Sequence, residues 1–239
     1  PINAEHTALG LPPVEDDITH PSNHPVLRIA VWAVGFLLVG VLAYLASKLF
    51  NGQHEQTGMQ LIASTLQGDA FWKAVMVGLL AQTVDGALGM AYGITSTSFL
   101  LATGSTPAVA SASVHIAEVF TTGVSGISHV KLGNVNRSLF LRLLVPGILG
   151  ASLGAWVVSS VDAAVIKPIV SGYLFVMGLY IVSKIFKKIT PRRETPKHVA
   201  KLGLFGGFLD AVGGGGWGPV VTTTLVGTGQ DPRTTIGSV

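Results

Sequence analysis

Uncharged apolar runs, each close to the roughly 20 residues that a helix needs to cross a bilayer core, alternate along this chain with polar or basic stretches. Ile29 to Ser47 lies between Arg28 and Lys48, with Trp32 and Tyr44 near its ends, where interfacial aromatics anchor a span. Asn51 to Gly68 reads as a polar loop. From Ala74 to Thr103 the sequence is apolar again but interrupted by Asp85, Gly86, Gly89 and Gly93, which predicts one long broken element. Thr106 to Ser128 gives a span carrying His115 and Glu118, with His129, Lys131 and Arg137 expected in the loop after it. Leu143 to Val161 gives another, with Gly150 and Gly154 spaced for close helix contact. Ile169 to Ser183 follows, lengthened by the snorkelling ends Lys167 and Lys184. Leu202 to Thr228 then repeats the broken pattern around Asp210, Gly213 to Gly216 and Gly218.

Sliding the chain by 125 residues superposes the two broken elements without a gap. Asp85 falls on Asp210, Gly89 on Gly214, Gly93 on Gly218, Thr97 on Thr222 and Pro107 on Pro232. Ten of the thirty aligned positions are identical, where composition alone gives roughly three. Duplication is the simple reading. The expected fold is an all-α integral membrane protein, a polytopic helical bundle with an internal repeat and Gly-broken transmembrane helices. Its expected parts are a polar tail (1–25), an extra N-terminal transmembrane helix (26–50), a first transporter repeat (72–186) and the start of a second (198–239). A second unit as long as the first would continue for about ninety residues beyond Val239, so the chain reads as a fragment of a longer one.

Composition sharpens this picture. Mean hydropathy is +0.57 and charged residues are 11%, about half the share of a soluble domain. Cysteine is absent, which excludes disulfides and thiolate chemistry. The formal charge of +3 is small and its basic residues cluster at helix ends, so nucleic acid is not an expected partner. No cofactor is expected, and no Ser/His/Asp or HExxH arrangement supports an enzyme. His115 and Glu118, two residues at i and i+3, are too few to define a metal site.

Paired Gly-interrupted apolar segments point to a secondary transporter, because unwinding a helix in mid-membrane exposes N–H groups and half-helix dipoles that hold an ion. Four glycines in succession, Gly213 to Gly216, are a poor helix interior at about 1 kcal/mol each relative to Ala. The alternative for any single glycine is tight packing. Hydroxyls follow each break, at Thr95 to Ser98 and at Thr222 to Thr224. They either line a donor-rich, uncharged site suited to an oxyanion or bond their own i−4 carbonyls. The site residues expected from this pattern are Asp85, Gly89, Gly93, Thr97, Asp210, Gly214, Gly215, Gly216, Trp217 and Thr222. Asp85 and Asp210 carry protons or cap the restarted half-helices. His115 and Glu118 share a helix face and form the expected proton-coupling pair, the alternative being a structural His bonded to backbone.

Residues Ala74 to Val239 resemble the sulfite exporter family of the TauE/SafE type, the 4-toluene sulfonate uptake permease group. The resemblance rests on the Gly104-x-x-Pro107 turn, the Lys131-Leu-Gly-Asn-Val135 loop and the stretch from Asp210 through Gly213-Gly-Gly-Gly-Trp217 to Pro219. The first unit departs from the Gly-Gly-Gly pattern, reading Gly86-Ala-Leu-Gly-Met-Ala-Tyr-Gly93. The resemblance implies a bacterial inner-membrane protein of two homologous halves that moves sulfite, sulfonates or related sulfur anions with proton-motive force. The implied partners are a small inorganic or organosulfur anion, protons and the lipid bilayer, and a homo-oligomer is permitted. A passive anion channel is the alternative.

Basic residues orient the chain. Lys131, Arg137 and Arg142 flank one connection, and Lys184, Lys187, Lys188, Arg192, Arg193, Lys197 and Lys201 fill another two spans later, both expected on the cytoplasmic side. If each broken element crosses once, the two repeats are parallel. If it dips in and returns, they are inverted.

Overall fold

The computed structural model describes residues 25–51, 57–88, 90–185 and 198–239. The expected polar tail up to residue 24, Gly89, and the basic residues Lys187, Lys188, Arg192, Arg193 and Lys197 lie outside the described residues.

The elements are helical in order: α1 (Pro25–Asn51), α2 (Gly58–Gln67), α3 (Asp69–Leu88), α4 (Tyr92–Ala102), α5 (Pro107–Lys131), α6 (Arg137–Ser160), α7 (Ala163–Ile185), α8 (Val199–Gly213), a π-helical turn (Trp217–Thr222), α9 (Thr223–Gly227) and α10 (Pro232–Ser238). Three of them, Pro25–Asn51, Arg137–Ser160 and Ala163–Ser183, are long and apolar enough to cross a membrane among the described residues. Their outward faces carry large apolar side chains such as Trp32, Phe36, Leu149, Trp156, Phe175 and Leu179, as surfaces facing acyl chains require.

Two local expectations are corrected. The polar stretch before Gly68 contains α2, started by a capping box in which Thr57 Oγ1 accepts from Gln60 N and Gln60 Oε1 accepts from Thr57 N. His129 and Lys131 belong to the last turn of α5 and Arg137 opens α6, so the loop is only Leu132 to Asn136. The cation of Lys131 in a last helical turn suits the helix dipole, and Asn136 caps α6 by accepting from Leu139 N at 3.1 Å.

Helix α6 packs on α8 through glycine, as the spacing of Gly150 and Gly154 suggests. A Cβ added at Gly154 would stand 2.5 Å from Phe208 O, one at Gly203 would stand 3.2 Å from Leu143 O, and one at Gly207 would strike Gly147 O. Partners advance together along both helices, so α6 and α8 run parallel. That places the start of α6, the end of α7 and the start of α8 at one face, where Lys131, Arg137, Arg142 and Lys201 collect. Gly150→Leu is expected to destabilise the protein by at least the ~1–3 kcal/mol of ordinary overpacking, because its side chain must displace the backbone of Leu204 and Phe208. Gly172→Leu, in open space on α7, is expected to stay within about 0.5 kcal/mol. Thermal unfolding in detergent compares the two.

After Gly213 the chain turns back. Gly214 ends α8 in the left-handed region at φ 65°, a conformation that favours glycine, and its N–H bonds Asp210 O at 2.7 Å. Val221 then lies against Gly206, and Leu225 packs with Leu143, Val199, Leu139 and Leu202 near the starts of α6 and α8. The π-helical turn and α9 therefore run from the middle of the bundle toward the basic face. Helix α4 runs the other way. Ile94 and Leu101 pack with Ala110 of α5, Val158 of α6 and Ile166, Val170 and Leu174 of α7, whose ends meet at the opposite face.

Candidate functional site

The two helix restarts have one hydrogen-bond plan. Asp85 Oδ1 accepts from Ala91 N at 2.7 Å and Tyr92 N at 3.1 Å. Asp210 Oδ1 accepts from Gly216 N at 2.7 Å and Trp217 N at 3.0 Å. The positions agree at the 125-residue offset. Further on, Gly104 and Gly229 both take positive φ, Thr106 and Asp231 both cap a helix, and Pro107 and Pro232 both open one. Each aspartate thus satisfies N–H groups that a restarted helix leaves without intrahelical partners.

The restarts also touch each other reciprocally. Gly215 lies on Gly93 and Ile94, while Met90, the counterpart of Gly215, lies on Gly218, the counterpart of Gly93. A Cβ at Gly93 would stand 2.6 Å from Gly214 O and 2.7 Å from Gly215 Cα. Thr97, fully buried, donates its hydroxyl to Gly214 O at 2.9 Å, and Thr223 Oγ1 contacts Met90 Sδ at 3.0 Å. Close approach of two backbones at one point requires glycine there. The N-terminal ends of α4 and of the returning π-helical turn consequently converge inside the bundle, each with its partial positive charge.

Ionisable groups surround this point. His115 Nε2 reaches Asp210 Oδ2 at 3.1 Å, and its Nδ1 faces Ser111 O at 2.7 Å. The hydrogen-bond partner of His115 is therefore Asp210 on α8, a contact across helices, while Glu118 on its own helix acts on it through charge alone. Glu118 Oε1 instead lies beside Gly93, 3.1 Å from the place of its absent Cβ. The charges of His115, Asp85 and Asp210 all act on Glu118. Ser111 Oγ donates to Ala211 O at 2.6 Å, holding α5 against α8 at the same level.

Most of the site residues expected from sequence meet here. Trp217 contributes its backbone N–H only. Its ring covers Gly147 and Gly206, and its Nε1 donates to Val239 O at 2.5 Å. Thr222 is buried within the π-helical turn. Sequence reading missed three participants. Tyr173 of α7 covers Gly213 with its ring and donates to Gly215 O at 3.4 Å. Its signal was a tyrosine at the centre of an apolar span rather than at an interface. Ser111 stands one helical turn before His115, and Met90 sits inside the first break. Ser96 Oγ is buried without a partner.

The sulfite exporter TauE/SafE family model matches residues 74–239. The chain belongs to that family. The chain is also 50% identical over 171 residues to the probable membrane transporter protein YtnM of Bacillus subtilis (strain 168), a match covering 68% of this chain and 57% of the relative. It spans little more than half of that protein's length. No solved structure matches the chain. The family and this relative are membrane transport proteins rather than enzymes, in keeping with the apolar helices that cross the bundle.

Proposed function

We propose that the whole protein is a secondary transporter of small sulfur oxyanions, sulfite or a sulfonate, and that it couples their movement to protons. The observation that carries this reading is the meeting of two helix restarts at Gly93 and Gly215. Converging helix N-termini attract an anion. The backbone N–H groups at the two restarts are the donors that support the reading, and the hydroxyls of Thr97 and Tyr173, given to Gly214 O and Gly215 O, hold the glycine segment in place beside them. The family description, sulfite exporter, favours sulfur oxyanions as the class.

Proton coupling is supported by His115, Glu118, Asp85 and Asp210 at the same point, since ionisable groups buried between membrane helices are costly and serve ion or proton pathways. Two inverted repeats are supported by the reciprocal contact and by the opposite courses of α4 and of the π-helical turn with α9. Such a pair rocks about a shared central site. Vesicles containing the whole transporter test the reading with sulfite, a sulfonate, sulfate and acetate. The expected result is accumulation of sulfite or the sulfonate driven by a pH gradient, with acetate excluded. Flux that dissipates a gradient but never accumulates solute against one marks a passive channel instead.

A further inference from the structure

Asp210 and Asp85 make the same cap, yet only Asp210 has a histidine on its second oxygen. His115 Nδ1 faces a carbonyl, Ser111 O at 2.7 Å, so it must be the N–H donor. Its Nε2 faces Asp210 Oδ2 at 3.1 Å, and that contact is attractive only with a proton between the two atoms. Oδ1 meanwhile holds Gly216 N and Trp217 N. The carboxylate of Asp210 therefore sits where an oxyanion would sit, on two backbone donors at a helix N-terminus.

We infer that Asp210 is the internal occupant of the substrate-oxyanion site, displaced by the substrate when it takes up a proton, so that one anion binds with one proton. The inference rests on the anion-transport reading above. In the empty site, protonated His115 and ionised Asp210 sum to zero charge. Protonation of Asp210 weakens Oδ1 as an acceptor and removes the attraction to His115 Nε2–H, freeing the N–H groups of Gly216 and Trp217. An oxyanion of charge −1 then takes those donors beside the histidine cation, and the site again sums to zero. Neither state leaves the His115–Asp210 pair with a net charge of its own, which a membrane interior penalises heavily. The titratable groups that act on Asp210 are His115 and Glu118 from α5 and Tyr173 from α7, while Asp85 from α3 acts on Glu118. From α6, the residues at the glycine contacts with α8 include Leu143, Gly147, Gly150, Ala151 and Gly154, none of them titratable. Asp85, without a histidine, stays a cap.

The test is calorimetry of methanesulfonate and sulfite binding to the whole transporter in buffers of different ionisation enthalpy, which counts protons taken up per anion. Methanesulfonate stays ionised, so any proton counted with it enters the protein. The parent and Asp85→Asn are expected to take up about one proton per anion, whereas Asp210→Asn binds with none, its amide oxygen still able to cap. Proton uptake retained in Asp210→Asn, or equally lost in Asp85→Asn, overturns the inference. A parent that binds neither anion contradicts the transport reading instead. Nitrogen-15 resonances of histidine, with His115 identified by their loss in His115→Gln, test the pair independently of any anion. Nδ1 is expected to remain protonated at every pH while Nε2 titrates, and an Nδ1 that titrates would overturn the assignment.

Discussion

The Gly214→Leu/Gly215→Leu double variant is expected to insert and fold across the membrane yet to lose transport entirely. Insertion depends on the long apolar helices, none of which contains these positions. In the proposed reading transport depends on the contact between restarts, and a Cβ at Gly215 alone would stand 2.5 Å from Gly93 C. At Gly214 the cost is double, since its φ of 65° is unfavourable for a branched side chain and its Cβ would strike Thr97 Oγ1. The variant must separate α4 from the returning turn, and the converging donors go with it. Comparable surface delivery with flux at the level of empty vesicles is the expected outcome. Normal flux from a correctly inserted variant would remove the backbone site.

Glu118→Gln is expected to abolish proton-driven accumulation while leaving anion counterflow within about threefold of the parent, because exchange needs binding and rocking but no net proton movement. Glu118 stands beside Gly93 at the contact between restarts, within electrostatic reach of Asp210. It is thus placed to pass a proton to the group that anion binding requires. Glutamine keeps the shape and removes the exchangeable proton. His115→Gln differs: it removes the cation that balances Asp210, so it is expected to move the pH optimum of flux rather than eliminate flux. Accumulation by Glu118→Gln equal to the parent would make Glu118 a structural carboxylate and remove it from the proton path.

The sequence carries the helical architecture because membrane spans are written in local hydropathy: α6 and α7 appear as apolar runs whose helices start earlier, at Arg137 and Ala163, with α6 ending at Ser160 and α7 running on to Ile185. The equivalence of Asp85 and Asp210 is legible too, since a fixed offset needs no tertiary information. Helix α2 was legible in the Thr57-x-x-Gln60 capping box but was hidden by the polarity of its surroundings. The direction of the chain after Gly213 was not legible. It is set by Val221 meeting Gly206 and by Leu225 meeting Leu143, contacts between segments with no local pattern in common. The partner of His115 was hidden for the same reason. Helical spacing brings Glu118 onto its face, but Asp210 reaches it from 95 residues away, and only the packing of α5 on α8 decides between them.

Proton movement driven by an anion gradient reports the coupling of anion to proton itself. Vesicles containing the whole transporter and a trapped pH indicator are given an inward methanesulfonate gradient with no initial pH difference and with the membrane potential clamped. Because a sulfonate stays ionised throughout this range, any acidification inside reports protons carried by the protein. Acidification is expected in step with sulfonate entry, at about one proton per anion, and is expected to be lost in Asp210→Asn. Sulfonate entry with no change of internal pH would rule out proton-coupled transport.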